Sequence, residues 1–211
     1  MRKLLLVAVV GTFMMSANSV SAQAMEEGNV GIDLYYGFPN LYKSILEATV
    51  PDSASNLDVG GVGPLGLRFE YMLADKVGLG LDIAYNTTSV NYTEDSLAFN
   101  TTTNEYDVVA TYDYKLSSPK IGVMVVFNYH FIDNDQLDFF GTFGAGWKNR
   151  SLKLTSTNPN FTEEKTSITL LPISMRIGLG MRYFFTDNIG INLGVGFGQG
   201  GIANAGLSFK F

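Results

Sequence analysis

The chain has 211 residues, with 14 basic and 20 acidic side chains, a charged fraction of only 16% and no cysteine. The absence of thiols excludes a disulfide framework and any Cys-ligated metal site. The acidic balance argues against nucleic-acid binding, which needs a basic surface.

The N-terminus is basic at Met1-Arg2-Lys3 and apolar over residues 4–15. That run is shorter than the roughly 20 residues a membrane-spanning helix needs. Small residues follow at Val20-Ser21-Ala22. The order basic, apolar, small is that of a cleaved secretory signal, with the cut expected after Ala22. Residues 1–22 are therefore set apart, and residues 23–211 are expected to form one domain. Without Arg2 and Lys3, 12 basic side chains stand against 20 acidic ones. No later apolar run is long enough for a transmembrane helix, so a membrane-spanning form of this chain must be a closed barrel.

Residues 28–37 alternate, with Val30, Ile32, Leu34 and Tyr36 on one face and Gly31, Asp33 and Tyr35 on the other. Period two over this length predicts a strand. Residues 38–62 lose the alternation. Leu41, Tyr42, Ile45 and Leu46 fall at helical spacing there, which fits either a short amphipathic turn or a packed loop. Alternation returns over residues 63–74 and 77–86, separated by Ala74-Asp75-Lys76, and predicts a hairpin. Residues 87–104 are rich in Thr, Asn and acid and are expected as exposed loop. Residues 105–116 alternate weakly and predict a strand extension standing clear of the membrane. A break is expected at Ser117-Ser118-Pro119, because Pro donates no ladder hydrogen bond. Residues 121–131 and 137–147 form the next hairpin around Asp133-Asn134-Asp135. Residues 151–164 read as another polar loop. Residues 166–185 lead into the last alternating runs, 176–185, 189–197 and 203–211, with turns at Thr186-Asp187-Asn188 and near Gln199.

The runs share an inverted polarity. One face is large and apolar; the other is glycine, amide and charge. The second would make a poor protein core, so the apolar face is expected to meet lipid and the polar face to line a narrow barrel. Three Asp-containing turns, near Asp75, Asp133 and Asp187, mark three hairpins of one plan. With the first and last strands they make eight, an even number that closes without an edge. Aromatics sort to two heights, as in membrane-spanning barrels. The predicted fold is all-β: an eight-stranded antiparallel up-and-down transmembrane barrel with short turns at one end and long loops at the other.

The signal sequence, strand count, loop asymmetry and the alternating terminal run Leu207, Phe209, Phe211 together resemble the small OmpA/OmpX-type outer-membrane barrels. The resemblance covers roughly residues 28–211. It implies the outer membrane, short periplasmic turns, long extracellular loops, and contact with outer-membrane lipid and lipopolysaccharide. It also implies that Leu207, Phe209 and Phe211 serve as a signal to the barrel-assembly machinery.

The inward set contains Asp33, Arg68, Glu70, Asp82, Arg176, Arg182 and Lys210, with His130 and Asn192. Both signs are present. An eight-stranded interior is only wide enough for side chains to fill it, so these residues are expected to form a polar plug rather than a conduit. The alternative is a narrow channel for ions or small solutes. A lipid A-modifying enzyme is the weaker alternative. Such barrels set a His beside a Ser and an acid near the outer leaflet, whereas His130, the only histidine, is expected at the short-turn end, at the inner water interface. No catalytic residue, metal site or cofactor is predicted, and no enzymatic role. The acidic loops, with the strand extension at 105–116 offering an edge to a foreign strand, point to a structural or adhesive role toward an extracellular protein or surface ligand. Asp52-Ser53-Ala54 and Asp95-Ser96-Leu97 resemble an O-glycosylation tripeptide, so Ser53 and Ser96 are candidate acceptors.

Overall fold

The computed structural model describes residues 24–49, 56–133 and 135–211. The expected signal, residues 1–22, and Ser53 lie outside the described residues. Nine strands and one helix are present among them: β1 (Val30–Phe38), α1 (Leu41–Thr49), β2 (Leu57–Ala74), β3 (Val77–Asn100), β4 (Glu105–Asp133), β5 (Leu137–Ser156), β6 (Glu164–Ser167), β7 (Ile173–Phe184), β8 (Ile189–Gly198) and β9 (Ala203–Lys210). Eight of them close a ring. β1 pairs with both β2 and β9, β4 pairs with β5, and every pairing is antiparallel. β6 stands outside the ring and pairs only with the upper part of β5.

Burial follows the inverted polarity. Arg176, Arg182, Glu70, His130 and Asn128 are almost wholly buried. Leu34, Leu67, Leu81, Val125, Phe143, Leu179, Leu193 and Leu207 are exposed on the outside. Barrel closure satisfies the backbone groups, so the outer wall can be apolar all round without an unpaired ladder bond. The lumen is narrow, and small residues make room in it. Gly66 faces the Tyr35 ring, Gly78 the Glu70 carboxylate and Gly180 the Phe140 ring, each at a spacing that leaves no place for a Cβ. At the short-turn end Ala24, Met25, Met72 and Phe184 form a buried apolar cluster.

The strands run further than their apolar alternation. β3 extends to Asn100, through the segment expected as loop, and pairs with β4 from its first residue, Glu105. Above the membrane both faces of a strand meet water, so apolar alternation is no longer required. Polar cross-strand links replace it: Thr111 donates to Asp95 at 2.6 Å, and Asn100 to Asp107 at 2.7 Å. The Tyr92 and Tyr114 rings stack at 5.2 Å. The break expected at Pro119 is absent, and β4 is continuous. Its ladder with β3 runs through Thr87↔Pro119, while the ladder with β5 skips from Ser117↔Lys153 to Lys120↔Arg150, so the missing proline N–H costs a local gap and not the strand. Residues 151–156, expected as loop, belong to β5. The helical spacing at residues 41–46 is α1.

Candidate functional site

Register brings the interior charges together. Asp33 on β1 lies opposite Arg68 on β2, and Arg68 lies opposite Asp82 on β3. All three point inward, since they occupy the buried positions of their alternating strands. Arg68 bridges the two carboxylates, at 3.3 Å from Asp33 and 3.2 Å from Asp82.

Arg182 on β7 is the centre of the lower network. It donates through Nε and Nη2 to both Asp33 oxygens, at 3.0 and 2.9 Å. Nη2 also reaches Glu70 at 2.6 Å, and Nη1 reaches Asp138 at 3.1 Å. The Phe140 ring lies under the guanidinium at 4.5 Å. Asn128 donates to Glu70 at 2.6 Å, and the Ser208 hydroxyl to Asp33 at 2.6 Å. A charge taken out of water needs this degree of pairing and hydrogen bonding.

His130 is fully buried inside this network and not at the inner water interface where the sequence put it. Its Nδ1 is 2.6 Å from Asp138 and its Nε2 is 3.1 Å from Glu70. With a carboxylate at each ring nitrogen, both act as donors only in the imidazolium form. Asp138, Glu70, Asp33 and Asp82 then face Arg182, Arg68 and His130 in one contiguous cluster. Among the described residues no cluster of His and acid groups is arranged to hold a metal ion. The Arg182 guanidinium occupies the point where the carboxylates converge.

Above this cluster the lumen is crossed by Gln199, from the turn between β8 and β9. Its amide donates to Asp82 at 2.8 Å and its oxygen accepts from Ser174 at 2.8 Å. Tyr35 donates to the same Asp82 at 2.8 Å. Arg176 donates to the Gln199 backbone carbonyl and has no carboxylate partner among the described residues. Lys210 lies near the short-turn end, 5.3 Å from the Phe184 ring centre. The ion pairs therefore gather Asp33, Arg68, Glu70, Asp82 and Arg182, while Arg176 and Lys210 sit in other surroundings.

Asp138 and Gln199 were missed in the sequence. Asp138 had a signal: it lies between Leu137 and Phe139 on the inward parity of its run. Gln199 had none, because its position depends on the turn closed by Gly198, Gly200 and Gly201, all at positive φ. Leu207, Phe209 and Phe211 follow the outward parity of β9, and the Phe211 N–H and C=O both bond to Val30 at 2.9 Å. Ser96 lies in the projecting part of β3, at a register shift in its pairing with β4.

Comparison with curated protein sequences finds no match. Similar solved structures include the N-terminal β-barrel domain of Pseudomonas aeruginosa OprF, with 14% identity, 89% of this chain and 100% of that chain covered, and a TM-score of 0.41. Another is Ail, the attachment invasion locus protein of Yersinia pestis, in complex with the heparin analogue sucrose octasulfate. It shows 15% identity, 88% of this chain and 99% of that chain covered, and a TM-score of 0.39. Residues 10–210 match the family described as the outer membrane protein beta-barrel domain. The chain belongs to that family and is an outer-membrane β-barrel protein.

Proposed function

We propose that the barrel is a filled anchor and that its work is done outside the membrane, by the projecting β3–β4 hairpin as a surface for an extracellular protein partner. The observation that carries this reading is the hairpin's edge structure. Beyond Tyr92, β3 has no second partner among the described residues, and beyond Asp113 neither has β4. Both strands thus offer unpaired backbone groups, a template for an added strand. Leu97, Phe99, Tyr106, Val108 and Val109 are exposed along the same stretch. An isolated two-stranded ribbon with apolar side chains in water gains from being covered.

The interior supports an anchor rather than a channel. Arg182 on β7 crosses the lumen to Glu70 on β2, Gln199 reaches Asp82 on β3, and Tyr35 on β1 reaches the same Asp82, while Arg68 and Phe140 fill the space between neighbouring strands. A non-enzymatic role fits the same residues, since both His130 nitrogens are engaged by carboxylates. Leu207, Phe209 and Phe211 serve assembly in this reading, and Ser96 is a modification candidate on the exposed hairpin. The test replaces residues 93–113 by a two-residue turn. The variant is expected to keep heat-modifiable migration in detergent gels and to lose binding of cells to immobilised extracellular-matrix and serum proteins. Undiminished binding by the folded variant would remove the hairpin from the role.

A further inference from the structure

The loop end of the barrel holds a charge arrangement that the interior network does not explain. Lys120 on β4 sits directly opposite Arg150 on β5, and Lys148 lies opposite Gly122, one pleat further in. All three share the parity of the inward residues Met124 and Val126 on β4 and Thr142 and Gly144 on β5. Lys120 precedes Ile121 on β4, and Lys148 and Arg150 follow Trp147 on β5, so the three lie on the loop side of these exposed outward apolar residues. Like charges opposed across a strand pair are destabilising. Neither Lys120 nor Lys148 has a carboxylate partner among the described residues. Burial, with the nearby Arg150 and Lys148 charges, pushes Lys120 down to about 8.

Two cavities meet at this cluster. One, of about 250 Å³, lies beside α1 and is lined by Asn40, Tyr42, Asn86, Lys120, Arg150 and Gln199 among others. The second, of about 310 Å³, is lined by Lys120, Lys148, Arg150 and residues 168–171. Among the described residues, neither has an acidic residue in its wall. Arg150 is fixed in place. Its guanidinium packs on the Tyr42 ring at 4.5 Å and donates through Nη1 to the Ser118 hydroxyl at 3.0 Å. Its Nε and Nη2 donate to no described residue. A held guanidinium with an open donor edge suits a bidentate oxyanion, and two ammonium groups beside it supply the remaining charge.

We infer that Lys120, Lys148 and Arg150 form a binding site for a phosphate-class oxyanion at the outer mouth of the barrel. Small-molecule pockets run from roughly 300 to 1,000 Å³, so cavities of 250 and 310 Å³ suit one headgroup-sized group. The phosphate can belong to a small soluble molecule or to an outer-leaflet lipid. Leu170, 97% exposed, and Leu171 stand at the lip of the second cavity and give a lipid an apolar approach.

The experiment titrates the folded protein with inorganic phosphate in detergent and in phosphatidylcholine nanodiscs, read by phosphorus NMR. A second series uses nanodiscs doped with phosphatidic acid. Chloride at equal ionic strength is the control. The variants are K120Q, K120Q/K148Q and, in an exposed strand away from the cluster, K165Q. Heat-modifiable migration reports that each is folded, and K120Q alone carries the test if the double variant does not fold. The expected result is saturable binding that K120Q/K148Q weakens about tenfold or more, since two charge-assisted contacts are lost, and that K165Q leaves unchanged. Binding of inorganic phosphate assigns a soluble ligand. Binding only of phosphatidic acid assigns a lipid headgroup. No saturable binding in any arm, or equal binding by wild type and the lysine variants, overturns the site.

Discussion

Arg182 is the residue whose loss the interior tolerates least. It is the shared partner of Asp33, Glu70 and Asp138, and all three carboxylates are fully buried. Substituting Arg182→Met leaves that negative charge with only Arg68 and His130 to face it. Breaking a buried pair from one side costs about 3–5 kcal/mol, and urea unfolding in lipid vesicles should show a loss of that size. Arg176→Met is the comparison. Among the described residues Arg176 has no carboxylate partner and one hydrogen bond, to the Gln199 carbonyl, so its loss should cost about 1–3 kcal/mol. A larger loss at Arg176 than at Arg182 would contradict the assignment of the centre. Lys120 makes a prediction of a different kind. Its folded value, about 8, lies below the ordinary 10.5, so the unfolded chain binds the extra proton between these values. The penalty is complete below pH 8 and is relieved as pH rises toward 10.5, so stability attributable to this group rises across that window. Unfolding of K120Q, followed over the same pH range, should lack that rise.

At the scale of the element, the spanning parts of the strands were legible and their extensions were not. Inside the membrane every outward position must be apolar, so period two survived in Ile121 to Phe131 and in Leu193, Val195 and Phe197. Above it, Thr93, Asp95, Thr111 and Asp113 pair across strands with water on both sides, and no hydrophobic pattern records the pairing. Pro119 misled for a related reason: its gap is confined to the β5 side while the pairing with β3 carries the strand through, which one strand alone cannot tell. The charges Asp33, Arg68, Glu70, Asp82 and Arg182 could be placed on the inward face by parity, but not their partners, because those are set by register between strands distant in sequence. Glycine positions carry the complementary signal. Gly180 lies against the Phe140 ring, which in turn supports Arg182. Gly180→Val should displace that ring and reduce the heat-modifiable folded fraction by more than Gly141→Val, since Gly141 has open space where a Cβ would lie. Equal yields would show that the ring moves aside without consequence.

The molecule as a whole combines a closed lumen with a long external ribbon. Interior bonds cross the lumen: Arg182 on β7 reaches Asp33 on β1 and Glu70 on β2, and Gln199 joins β3 and, through Ser174, β7. Planar-bilayer recordings of the purified protein should therefore show no stable single-channel openings. Reproducible openings would favour a narrow channel and would require these links to part. The seam between β1 and β9 has a further consequence, one of timing. Seven of the eight ring pairings join strands that follow each other in the ring order along the chain, but the eighth sets Gly31 against Lys210. Contacts of such sequence separation carry the largest loop-closure entropy and form slowly. Until that seam zips, β1 and β9 each present a bare flank, and the half-made sheet is most open to chaperones, proteases and mispairing. By sequence separation the meeting of the two ends is the costliest pairing to close, and the sheet stays exposed for as long as it is open.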